Sequence, residues 1–90
     1  MAKHLTGPLP KYVDFGFHKV RVEIIGIARM REETDCEPEE ITPTGAWQTD
    51  DDTIYILKGM NRNEQRYTLM HEMIHASLDM MDSIEKPKRR

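Results

Sequence analysis

The sequence predicts an α+β fold: a small antiparallel sheet of about three strands packed against one long helix. Three observations predict it. Aliphatic Val20, Val22 and Ile24 alternate with charged Lys19, Arg21 and Glu23, the period of a strand with one apolar face. Two β-favouring runs flank the polar residues 49–52, the pattern of an antiparallel hairpin. From Glu64 to Asp82 there is no glycine or proline, and apolar residues recur at steps of three and four, the spacing of a helix. Strands followed by one long helix make an α+β order.

Ninety residues suit a single domain, 1–90, whose small core leaves it only marginally stable. Gly7, Pro8 and Pro10 make residues 1–10 irregular, and Lys86, Lys88, Arg89 and Arg90 read as a solvated basic tail over 86–90. A net charge of −3 assembles no broad basic face, which argues against nucleic-acid binding. Cys36 is the sole cysteine, so no internal disulfide is available and a reducing cytoplasm is expected. The first ten residues lack the apolar core of a secretion signal, and no apolar run approaches membrane-spanning length. A domain this small gains stability from a bound metal or from oligomerisation; a homo-oligomer is one expectation.

Strand character extends over 12–27, where residues 12–17 read either as a separate short strand or as a helical turn. Six acidic side chains and Pro38 make 31–40 an exposed loop. Gly45, Ala46, Trp47 and Gln48 form the first arm of the hairpin, and Thr53, Ile54, Tyr55, Ile56 and Leu57 the second. Asp50, Asp51 and Asp52 lack the spaced ligands, glycine and distant glutamate of a calcium loop, so they read as the turn. Gly59 breaks the chain, Asn61 or Asn63 can cap the helix, and Asn61 with Glu64 has capping-box spacing. Tyr67, Met70, Ile74, Leu78 and Met81 form the apolar stripe of the helix. Leu69, Met73 and Met80 widen it, so burial on more than one side is expected. Ser83 and Pro87 limit how far the helix runs.

The chemistry is concentrated in His71, Glu72, Met73, Ile74 and His75. Residues four apart on a helix stand one turn above each other, about 6 Å along the axis. Two imidazoles so placed can share one metal ion at about 2.0–2.1 Å each. Glu72 is rotated about 100° from His71, where it can serve a metal-bound water as general base without being a ligand. Cys36 sits in acidic surroundings that disfavour a thiolate, and His18 reads as a surface imidazole at the start of a strand.

Residues 67–76, YTLMHEMIHA, resemble the HExxH active-site helix of zincin metallopeptidases. With the hairpin before them they are most similar to the small ImmA/IrrE-type and phage-encoded peptidases. The likeness spans roughly residues 45–85, and only the HExxH core is sharply specific. It implies a minimal zincin-like domain in which His71 and His75 bind Zn2+, Glu72 is the catalytic base, and a downstream acidic residue completes the site. It also implies a zinc-dependent endopeptidase acting on a cytoplasmic protein or peptide, which adds as a strand to a sheet edge. Residues 53–57 are the candidate edge. Two departures stand out: the family usually has a helix before the sheet, and it usually continues further after the active-site helix.

A catalytic zinc takes three protein ligands and a water. Glu85 is the first choice for the third ligand, since the chain can turn back after Ser83 and the resemblance implies a downstream glutamate. Asp79 and Asp82 come next; Asp79, one turn beyond His75, suits a supporting role or simple solvation of the helix face better. His18, His4, Cys36 or a neighbouring chain complete the set. Tyr67 or Tyr55 could donate to the oxyanion, although packing suits each better. A zinc-binding module that hydrolyses nothing is the alternative function.

Overall fold

The alternation around Val20 and Val22 becomes the central strand of a mixed four-stranded sheet. The computed structural model of the chain describes residues 9–16 and 18–85, with side chains to Asp82. The elements are β1 (Tyr12–Asp14), β2 (Lys19–Ile25), α1 (Ile27–Glu33), β3 (Gly45–Gln48), β4 (Thr53–Leu57) and α2 (Arg62–Glu85). Strand order is β1-β2-β4-β3. The expected hairpin forms with Trp47 opposite Ile54 and Ala46 opposite Tyr55, and β1 pairs antiparallel with β2. Residues 12–14 are therefore a strand rather than a helical turn.

The sheet departs from the expected three antiparallel strands in number and in direction. β2 and β4 run parallel, Val22 beside Ile54 and Ile24 beside Ile56. Parallel neighbours need a connection that returns to the starting end of the sheet; α1 and the loop after it carry the chain past the β4 position to the edge, and β3 runs back antiparallel before the turn into β4. α1 occupies residues read as the end of a strand and the start of a loop. Its only buried residue is Met30, so its helical period is nearly silent in the sequence. Arg31 orders the following loop by donating to the carbonyls of Glu37 and Glu40 and to Thr42 Oγ1.

The two faces of the sheet carry separate apolar clusters. Val13, Val20, Val22, Ile54 and Ile56 pack with Leu69 and Ala76 of α2. Ile25 and Tyr55 pack with Met30 of α1 on the other face. Strand alternation forces this division, because Ile54 and Ile56 point one way and Tyr55 the other. Ile24 shares the α2-facing parity of Val20 and Val22 yet is exposed.

α2 begins as its sequence predicts. The Glu64 amide donates to Asn61 Oδ1 and the Asn61 amide to Glu64 Oε1, a reciprocal capping box. Gly59, at φ +101°, takes a backbone conformation that side chains resist, and lets the chain leave β4 for α2. Of the two apolar sides of α2 expected to be buried, one packs on the sheet and the other does not. Leu69 and Ala76 are buried and Met73 and Met80 are packed beside them. Tyr67, Met70, Ile74, Leu78 and Met81 are instead 46–73% exposed, on the side away from the sheet. The helix also continues to Glu85. Of the sequence expectations, the irregular residues 1–8, with His4, and the basic tail 86–90 lie outside the described residues.

Candidate metal centre

Helical spacing brings His71 and His75 together on one flank of α2. Their Nε2 atoms stand 3.1 Å apart, with ring centroids 4.7 Å apart and the rings steeply inclined. Two nitrogens bound tetrahedrally to one zinc at about 2.0–2.1 Å lie about 3.3 Å from each other. The observed separation therefore suits shared metal ligation as well as a direct imidazole–imidazole hydrogen bond. Both rings are exposed and accessible from solvent.

Glu72 points toward β3. It is 9% exposed, and burial raises its pKa, a shift that the adjacent His75 and His71 oppose. A Cβ added to Gly45 would run into the Thr68 methyl and come within 3.1 Å of Glu72 Cγ and 3.3 Å of Glu72 Oε2. Only a glycine lets β3 settle this close over the carboxylate. Thr44, Tyr67, Thr68, His71 and Glu72 line one shallow depression, so the acid and the first histidine open onto the same space. The sequence reading took Gly45 as part of a hairpin and missed this role. No local signal reveals it, because the contact depends on how the strand docks on the helix.

The topology moves the candidate sheet edge. β4 is flanked by β2 and β3, so its backbone groups are already paired and residues 53–57 cannot receive an added strand. β3 is the edge on the side of the histidine pair: Gly45 touches Thr68 and Glu72, and Trp47 Nε1 donates to Asp79 Oδ2 at 3.1 Å. Its free side runs along the flank of α2 that carries His71 and His75.

Of the residues weighed as a third ligand, none whose side chain is described is brought to the pair. Asp79 accepts a hydrogen bond from Trp47 Nε1. Asp82 is exposed, two turns beyond His75. The turn that would return Glu85 is not formed: α2 is still helical there, which carries its backbone about 15 Å along the axis from His75, and its side chain lies outside the described residues. His18 Nε2 lies 3.1 Å from Asp52 Oδ2 at the β2–β4 end of the sheet, and Cys36 faces the carbonyls of Glu37, Glu40 and Ile41 in the loop. Among the described residues no group of three or more His, Cys, Asp or Glu side chains could hold a metal ion. Of the two tyrosines, Tyr55 is buried on the α1 face and donates to Asp51 Oδ2 at 2.7 Å. Tyr67 alone borders the depression.

No described helix is long and apolar enough to cross a membrane. Comparison with protein-family models, curated proteins and solved structures finds no match.

Proposed function

We propose that the chain is a zinc-dependent metallopeptidase, with His71 and His75 as metal ligands and Glu72 as the general base. The observation that carries this reading is the 3.1 Å convergence of the two Nε2 atoms, with Glu72 opening onto the same depression as His71. Zinc held there supplies a Lewis acid that polarises the scissile carbonyl and acidifies a water. Glu72 takes a proton from the attacking water on its carboxylate and returns it to the leaving amine nitrogen. Its burial favours that role, since a carboxylate with a raised pKa is a stronger base. The peptide lies along the free edge of β3, where backbone hydrogen bonds fix its register over the histidines. Tyr67, at the border of the depression, is the side chain placed to donate to the developing oxyanion. The third protein donor comes from outside the described side chains or from a neighbouring chain.

The shortage of a third ligand among the described residues favours a second reading, a zinc-binding interaction module without hydrolysis. Cleavage of an unstructured protein such as casein separates the two. The enzyme reading expects zinc-dependent cleavage that chelator stops and Glu72→Gln abolishes. Zinc binding without cleavage, in wild type and variant alike, supports the module instead.

A further inference from the structure

We propose that α2 is also a homodimer interface, with a second copy lying antiparallel on the exposed stripe of Tyr67, Met70, Ile74, Leu78 and Met81. The stripe is 46–73% exposed and lies opposite the face of α2 that packs on the sheet. Its steps of three, four, four and three are symmetric about Ile74. A symmetric dimer requires such a self-complementary surface, in which a residue meeting another is met by it in return.

With the two-fold axis at Ile74, that residue meets its own copy. Met70 then stands against the partner's Leu78, and Tyr67 against the partner's Met81. An open apolar groove lined by Phe15, Met73 and Ser77 beside Met70, Ile74 and Leu78 receives the side chains that cross the seam. From the side-chain exposures, the stripe offers about 600 Å² per protomer, and the groove walls bring this toward the roughly 800 Å² per partner of a stable interface.

At about 100° per residue, His71 and His75 lie between the stripe and the buried face. A two-fold perpendicular to both helices keeps these flanks on one side, so the two histidine pairs border one rim of the dimer.

Sedimentation equilibrium over a wide concentration range tests the proposal, with and without chelator so that the outcome does not depend on the metal. The expected mass is twice the 10.6 kDa of the chain. Ile74→Arg and Leu78→Glu are each expected to yield monomers with unchanged helical circular dichroism, because neither side chain belongs to the core. In a Cys36→Ser background, Ile74→Cys is expected to form an intermolecular disulfide in air, and Tyr67→Cys is not. A monomer at every concentration overturns the proposal, as does a dimer indifferent to Ile74→Arg. Equal cross-linking at positions 67 and 74 would reveal parallel pairing and overturn the antiparallel arrangement.

Discussion

Glu72 is a carboxylate packed beneath a glycine, and the glycine is as much part of its setting as the histidines on either side. Gly45→Ala forces a methyl group against Thr68 and the Glu72 side chain. It is expected to lower stability by about 1–3 kcal/mol, the usual cost of overpacking, and to reduce cleavage by more than the loss of folded protein explains; denaturant titration alongside activity at equal folded concentration checks both. Glu72→Gln is expected to keep its metal and lose about 10²–10⁴-fold in cleavage rate, the usual contribution of a general base. Tyr55 titrates outside the site. Burial, then its hydrogen bond to Asp51, push its pKa up to about 12, above the ordinary value of about 10. The phenol ionises first in the unfolded chain, so its contribution to stability is fully present below pH 10 and is lost as pH rises toward 12. Tyr55→Phe is expected to flatten that alkaline fall in a urea-denaturation series. His71, Glu72 and His75 were legible in the sequence because one helix fixes their spacing by itself. Gly45 and the Trp47–Asp79 bond were not, since each joins residues far apart in the chain through the docking of β3 on α2.

At the scale of elements, short-range chemistry was the readable part. The Asn61–Glu64 box, the Gly59 break and the β3–β4 hairpin each depend on residues close in sequence, and each forms as read. Asn61→Ala is expected to cost about 0.5–2 kcal/mol, the range for losing an N-cap side chain, seen as a lower midpoint with unchanged denaturant slope. The helix stripe was legible as apolar but not as to side. Two apolar arcs lie on α2, one with Leu69, Met73, Ala76 and Met80 and one with Tyr67, Met70, Ile74, Leu78 and Met81. The regular period of the second says nothing about which arc meets the sheet. What decides is the small, close-packing set, Ala76 and Thr68, which lets the helix approach β3 and β4. α1 escaped notice because Ile27, Ala28 and Arg29 are exposed and only Met30 is buried, leaving too few anchors for a period.

For the whole molecule, the order of strands decides which strand edge is left free. The connection through α1 carries the chain past the position beside β2, so that β3 forms first and β4 returns between the two, a long-range choice with no signature in either strand. It places β4 in the interior and leaves β3 at the edge beside the histidine pair. One histidine pair and one buried acid are in place on α2, and the apolar stripe faces outward on the same helix. A metal that binds only the folded state stabilises it by mass action, so chelation is expected to lower the melting temperature of wild type and leave His75→Ala unchanged.

The most direct test is the zinc content of purified wild-type protein, Glu72→Gln and His75→Ala, measured by elemental analysis without chelators. The account predicts close to one zinc per chain in wild type and in Glu72→Gln, and none in His75→Ala, which places the metal on the histidine pair and Glu72 outside its ligands. No zinc in any of the three, with melting of the wild type unchanged by chelator, would contradict it.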